Sequence, residues 1–308
     1  MRVLFVNSGN NGICPIVGAQ AKSLRETGLQ LELFSIMGKG FWGYLKSFPR
    51  MRKHIKEFSP DIIHAHYSLC GIAASMITKK TVITSLMGSD VKSSGLWRII
   101  VRFFVAFVWR ATIVKSEDMN RSLSLKTSNI HVIPNGVDLN LFKPADKTVC
   151  RKNVGWNHYN KIVLFAANPK RPEKSYSLAK TAIDILNRSD VELKVVYGVA
   201  HESMPLFMNA ADALLLTSLW EGSPNIVKEA MACNLPVVST DVGDVRWLLG
   251  GVSNSFVCRH EAEEIASFIA TVISDKGRSD GNNKIGLLQL SNPSVAERII
   301  SVYAATLR

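Results

Sequence analysis

The sequence predicts two α/β domains, each built on a doubly wound parallel sheet. Three observations carry that expectation. Short β-branched apolar runs alternate with amphipathic stretches along most of the chain, the βαβα order that implies parallel strands joined by helical crossovers. The alternation restarts after PNGVDLNLFKP, near 144–150, and so divides the 308 residues into two parts of ordinary domain size. Hydrophobic residues make up 47% of the chain and charged residues 20%, a globular balance with enough apolar side chain for a core in each part.

The opening run, MRVLFVNSGNNG, is too short in apolar residues for a signal peptide and reads as a strand over 2–6. Further strands are expected at 30–36, 61–65, 81–85, 112–114 and near 130–133, with helices at 15–27, 44–57, 69–77, 96–109 and 116–124. They give a first domain over 1–147. The second series has strands at 161–166, 192–197, 213–217, 236–239 and 255–257, and helices at 174–187, 203–210, 224–233 and 261–273, giving a second domain over 148–293. A last helix is expected around 294–307. In sheets of this kind ligands bind outside the carboxyl ends of the strands.

Composition narrows the function. No stretch of about 18 uncharged apolar residues occurs, so no spanning helix is expected. Five scattered cysteines, odd in number and without a CxxC pair, read as reduced thiols of a cytoplasmic protein. Residues 1–145 hold 19 Lys and Arg against 8 Asp and Glu, a net of +11, whereas residues 146–308 hold 18 against 17. The positive excess lies in the first half and points to an anionic partner there. No nucleic-acid-binding module is present, which favours an anionic membrane surface and a peripheral attachment. Two basic stretches with aromatics, 39–57 and 96–110, suit such a surface. The first is expected to lie outermost, the second largely buried as a sheet-covering helix.

The most informative segment is LTSLWEGSPNIVKEAMACNLPVVSTDVGDV, at 216–245. Glu221 opens a turn with Gly222, Ser223, Pro224 and Asn225, and an amphipathic helix follows through Ile226, Val227, Ala230 and Met231. Pro224 suits the first helical turn and Ser223 the cap. Free backbone N–H groups and the positive end of a helix dipole then form an anion site. Two carboxylates beside it, Glu221 and Glu229, suit sugar hydroxyls better than the anion itself.

This segment resembles the signature of glycosyltransferase family 4, retaining enzymes of the GT-B fold. The resemblance implies two Rossmann-like domains facing a central cleft, with the last helix, within 294–308, crossing back onto the first domain. It implies that Glu221 and the following amides hold the donor sugar and that Glu229 binds the nucleotide ribose. The loop LFAANPKRPEKS, at 164–175, matches the family's diphosphate loop when aligned on Pro172, Glu173 and Lys174, so Lys174 takes the lysine position. The arginine position is occupied by Asn168, a departure, and Arg171 is near enough in the loop to replace it. Cations there would neutralise charge on the departing nucleoside diphosphate.

The first half carries weaker matches. Gly12 lies in the loop after the first strand, where the family has adjacent glycines and this chain does not. His64 and His66, in DIIHAHY, alternate onto one strand face. A metal pair would need a third ligand that the neighbouring sequence lacks, and the match to the family places His66 at the cleft edge. In TSLMGSDV the family's histidine position is Met87, Gly88 permits close backbone approach, and Asp90 is a candidate for orienting a sugar hydroxyl. The IPNGVD turn reads as structural. No Asp-x-Asp pair occurs anywhere, in agreement with catalysis without a metal ion or other cofactor.

The expected activity is a retaining, metal-independent glycosyltransferase moving a hexose-type sugar from a UDP- or GDP-sugar to a hydroxyl of a glycan or lipid-linked acceptor, in polysaccharide or cell-surface glycan synthesis. Two other readings stand beside it: a nucleotide-sugar epimerase of the same fold, and a non-catalytic nucleotide-sugar-binding protein, which the departures at Asn168 and Met87 would suit.

Overall fold

The structure is a computed structural model that describes residues 1–9, 12–38, 40–88, 90–91, 95–275 and 277–307. Two compact units emerge, one of Met1–Gly136 with Asn292–Arg308, the other of Val137–Ser291. The division falls at 136/137, ahead of the 147/148 boundary read from the sequence, because the chain enters the second core at Val137 and Phe142, before its first helix.

Among the described residues the first unit holds a six-stranded parallel sheet. Its strands are β1 (Arg2–Ser8), β2 (Gln30–Ile36), β3 (Ile62–His66), β4 (Thr81–Ser85), β5 (Ala111–Val114) and β6 (Ile130–Val132), in the order β2-β1-β3-β4-β5-β6. The crossovers are α1 (Pro15–Glu26), α2 (Gly40–Phe58), α3 (Ser68–Ile77), α4 (Leu96–Phe107) and α5 (Glu117–Leu123). β1 and β3 are buried on both faces, which is why they read as continuous apolar runs rather than alternating ones. The sheet has one core under α2–α5 and a second on its other face under α1.

Of the two basic stretches, the first lies at the surface as expected and the second departs from its expectation. In α2, Tyr44, Phe48 and Phe58 pack inward, and the outer face carries Lys46, Arg50, Arg52, Lys53 and Lys56. Lys39, which opens that stretch, lies outside the described residues. Helix α4 buries only Val101 and Val105 fully and is not the largely covered helix expected over 96–110. Its apolar residues exceed one stripe, so the sheet can cover only part of them.

The second unit has, among the described residues, the five-stranded parallel order β11-β10-β9-β7-β8. The strands are β7 (Lys161–Phe165), β8 (Val191–Val195), β9 (Ala213–Leu216), β10 (Val237–Thr240) and β11 (Phe256–Cys258). Its helices are α6 (Lys147–Val154), α7 (Tyr176–Leu186), α8 (Met204–Ala210), α9 (Asn225–Ala232), α10 (Val245–Leu249), α11 (Ala262–Ser274) and α12 (Gly281–Leu287). Three of these, α6, α10 and α12, have no counterpart in the sequence reading; at eight, five and seven residues they are too short to show a clear apolar period.

Helix α13 (Asn292–Thr306) returns to the first unit. Val295, Ala296, Ile299, Val302 and Tyr303 join the core on the α1 face. Tyr303 is fully buried, and its hydroxyl lies 2.6 Å from His64 Nδ1.

Candidate active site

The site is assembled where β7, β9 and β10 end. Thr217, just past β9, shares its hydroxyl between the carbonyls of Lys174 and Ser175, both at 3.0 Å. The amide of Leu219 donates to the carbonyl of Glu173 at 2.9 Å, and Thr240, the last residue of β10, donates to the carbonyl of Ser218 at 2.8 Å. Three strand ends are thereby stitched into one surface.

On it, Lys174 Nζ donates to Glu221 Oε1 at 2.5 Å, and Ser218 Oγ donates to the same oxygen at 2.7 Å. Lys174 sits in a single 3-10 turn, Pro172–Lys174, that Pro172 starts. Lys174 and Ser218 also line a small cavity with Phe165, Ala167, Leu216 and Ile226. A charge-assisted pair that is mostly sheltered from water is both strong and directional.

The turn into α9 differs from the expectation in one detail. Pro224 occupies the cap, and no side chain caps the helix. Ser223, expected as the cap, instead accepts a hydrogen bond from Lys228 Nζ at 3.1 Å. Pro224 holds φ at −69°, so helical geometry begins one residue later. The amides of Asn225 and Ile226 belong to the first turn, whose N–H groups have no intrahelical acceptor. Gly222 is backed by Gly243, which has φ +59°; a Cβ on Gly243 would fall 2.7 Å from the carbonyl oxygen of Gly222. Only glycine fits there.

Lys228 is fully buried, and burial lowers its pKa to about 8 against the opposing pull of Asp244 and Glu229. Burial likewise raises the Asp244 carboxyl, with Lys228 acting the other way. Glu229 projects from the next position, its Oε1 lying 2.8 Å from His201 Nε2. His201 starts a 3-10 turn before α8, and its ring packs at 5.1 Å from that of Phe142. The bond to Glu229 raises the imidazole's pKa although burial opposes it. Sequence reasoning missed Ser218, His201, Lys228 and Asp244. For Lys228 a signal existed: two adjacent charges inside the apolar sweep of α9. A single histidine in a short loop gives none.

The loop after β7, in the 164–175 segment, is tied within itself. Asn168 Oδ1 accepts from the amide of Lys170 at 2.9 Å, and the Asn168 carbonyl accepts from the amide of Arg171 at 3.1 Å. Asn168 thus closes a turn. Arg171, proposed from sequence as the replacement cation, donates Nε–H to Glu173 Oε1 at 2.7 Å and is mostly exposed.

The remaining expected residues belong to the first unit. Gly12 has φ +80°, and its amide donates to the Gly9 carbonyl at 3.1 Å. His66 is 3% exposed and stacks on His64 with ring centroids 4.5 Å apart. Burial holds its pKa down to about 3, with Lys115 adding to the effect, so both rings stay neutral at ordinary pH. His64 bridges Tyr303 Oη and Ser85 Oγ, the latter at 2.8 Å, and is a structural crosslink. Asp90, expected to meet a sugar hydroxyl, is 1% exposed: Oδ1 accepts from the amides of Met87 and Gly88 at 3.0 Å each, and Oδ2 from that of Ser68 at 3.1 Å. Its carboxylate shapes the loop that holds Gly88 at φ +112°.

Comparison with known proteins agrees with this architecture. The family model described as Glycosyltransferase Family 4 matches residues 18–141, and that described as Glycosyl transferases group 1 matches residues 160–275. TuaC of Bacillus subtilis, named as a teichuronic acid biosynthesis glycosyltransferase, is 28% identical over 70% of this chain and 61% of its own length. The UDP-Gal:alpha-D-GlcNAc-diphosphoundecaprenol alpha-1,3-galactosyltransferase of Escherichia coli is 24% identical over 74% of this chain and 70% of its own. Anabaena Alr3699/HepE, solved in complex with UDP and glucose, superposes with a TM-score of 0.80 over 99% of this chain and 100% of its own at 18% identity, which fixes the fold as GT-B. With one model on each sheet and the glutamate-bearing turn inside the second, the chain belongs to glycosyltransferase family 4.

Proposed function

We propose that this protein is a retaining, metal-independent glycosyltransferase that moves a hexose-type sugar from a UDP- or GDP-sugar to a hydroxyl of a glycan or lipid-linked acceptor. The carrying observation is the 2.5 Å contact between Lys174 and Glu221. It puts a cation suited to a diphosphate beside a carboxylate suited to sugar hydroxyls, the two chemistries that meet at a nucleotide sugar's scissile bond.

In this reading Lys174, with Arg171 once freed from Glu173, neutralises the diphosphate as the glycosidic bond breaks. That charge is preorganised and of greatest value in the transition state. The amides of Ser223, Asn225 and Ile226 bind sugar or phosphate, Gly222 lets the backbone approach, and Glu229 accepts from the ribose hydroxyls. Glu221 orients the donor sugar and is not the nucleophile. The acceptor hydroxyl attacks on the leaving-group side, with the diphosphate taking its proton. Gly12, His66 and Gly88 would contribute to the acceptor side. The names of the relatives, one acting on a diphosphoundecaprenol-linked sugar, support a role in cell-surface glycan synthesis at the cytoplasmic membrane face. The net +11 of residues 1–145 supports peripheral attachment to an anionic surface.

A thermal-shift screen against UDP, GDP and ADP, followed by incubation with the matching sugar donors, tests the reading. A nucleotide at a hundredfold excess over its Kd stabilises by about 2.7 kcal/mol. Transfer or slow donor hydrolysis that survives a chelator supports it. A new epimer would make the protein an isomerase, and activity lost to chelator and restored by magnesium would remove the metal-free mechanism.

A further inference from the structure

Helix α4 turns an apolar stripe to solvent. Leu96, Ile99, Phe103 and Phe107 are 72%, 65%, 54% and 78% exposed. Their spacing puts all four on one helix face, away from Val101 and Val105, which are buried in the sheet core. Single exposed apolar side chains are ordinary on a soluble surface. A continuous row of four, two of them aromatic, marks an interaction face.

The surroundings of the row are cationic. Arg98 and Arg102 lie on the helix and Arg110 follows it. The guanidinium groups of Arg98 and Arg102 donate to the carbonyls of Ser122 at 2.7 Å and Ser124 at 3.1 Å, which brings the segment with exposed Arg121 and Lys126 alongside. No Asp or Glu occurs from Val91 to Ser116. An apolar ridge inside a cationic rim matches a surface that is apolar within and anionic at its boundary.

We propose that α4 docks in the plane of a bilayer containing acidic phospholipid, with Leu96, Ile99, Phe103 and Phe107 among the acyl chains and the arginines at the phosphates. The inference deepens the membrane attachment in the function above and rests on it. A second copy fits this face less well, because a two-fold contact would press one cationic rim against another. Helix α2 contributes mainly long-range attraction: Tyr44, Phe48 and Phe58 turn inward, and Trp42, 72% exposed at its start, is a single apolar side chain rather than a row.

Flotation of the full chain with phosphatidylcholine vesicles, with and without phosphatidylglycerol, tests this. Wild type should float with the acidic vesicles, less so as salt rises. The double variant Phe103→Ser/Phe107→Ser should lose about a hundredfold in partitioning, while Arg50→Ser/Lys53→Ser loses less. Both pairs are exposed, so the melting temperature and UDP binding should hold. Equal flotation of the phenylalanine variant and wild type overturns the proposal, as does failure of wild type to bind acidic vesicles at low salt. So does a wild-type dimer, seen by light scattering, that the phenylalanine variant converts to monomer. Binding of UDP and of GDP is read on the same samples: failure of wild type to bind either would sink the transferase reading and leave the flotation result standing.

Discussion

Lys228 and Ser223 are joined across the first turn of α9, the ammonium donating to the hydroxyl at 3.1 Å. The bond ties the glutamate-bearing turn to the body of its own helix, and the charge behind it is fully buried.

Lys228→Met should therefore destabilise the protein by roughly 3–5 kcal/mol, since it strands Asp244 without its buried counter-charge. The double variant Lys228→Met/Asp244→Asn should recover much of that loss. Chemical denaturation of the three proteins at neutral pH gives the comparison, and a double variant no better than the single one would show the two groups to be uncoupled. The pKa of Lys228 falls from 10.5 unfolded to about 8 folded. The unfolded chain thus binds more protons between those values, so stability relative to the methionine variant should rise with pH across that window.

The pairing of His201 with Glu229 has the opposite sign. The imidazole's pKa is raised on folding. Its contribution is fully present below the unfolded value of about 6.5 and fades as pH climbs through the folded value. His201→Asn should cost about 1 kcal/mol near pH 6 and little by about pH 9. Melting curves across that range provide the measurement.

Glu229→Ala should weaken nucleoside diphosphate binding by roughly 1.5–3 kcal/mol, the worth of hydrogen bonds to a charged acceptor. Calorimetric titration of a folded variant decides it, and unchanged affinity removes the ribose role.

Lys174→Ala should lower kcat more than it weakens binding of the uncharged nucleoside, by about a hundredfold if its charge acts on the departing diphosphate. Steady-state rates alongside nucleoside titrations separate the two effects. Wild-type turnover in this variant would move the role to Arg171.

Gly243→Ala forces a Cβ toward the Gly222 carbonyl at a φ of +59°. A loss of about 1–3 kcal/mol in stability is expected from the strain, together with weaker donor binding because the 221–223 turn must shift. A variant as stable as wild type would show that the loop relaxes freely.

Much of this was legible in the sequence, for reasons that particular residues make clear. β1 and β3 show as apolar runs because both faces are covered, and the Glu221–Asn225 turn shows because a glycine and a proline punctuate it. What stayed hidden depends on contacts distant in sequence. His201 meets Glu229 from another loop, and Tyr303 meets His64 from the far end of the chain. Asp90 looks like any polar loop residue until three backbone amides are found around it. The amphipathic period of α4 reveals one apolar side; only the packing reveals that part of its apolar surface has nothing to cover it.

The return of α13 to the first sheet makes the second unit an insertion within the first. The crossing points are adjacent: a Cβ on Gly136 would fall 2.9 Å from Asn292 Cα, and Val137 bridges to Ser291 on the other side. During synthesis the second unit is therefore complete in the emerging chain while the first still lacks a helix. Until Asn292–Thr306 leave the ribosome, His64 has no Tyr303 and the face over β1 and β3 stays open. The half of the molecule whose synthesis begins first is the half whose last element is made last.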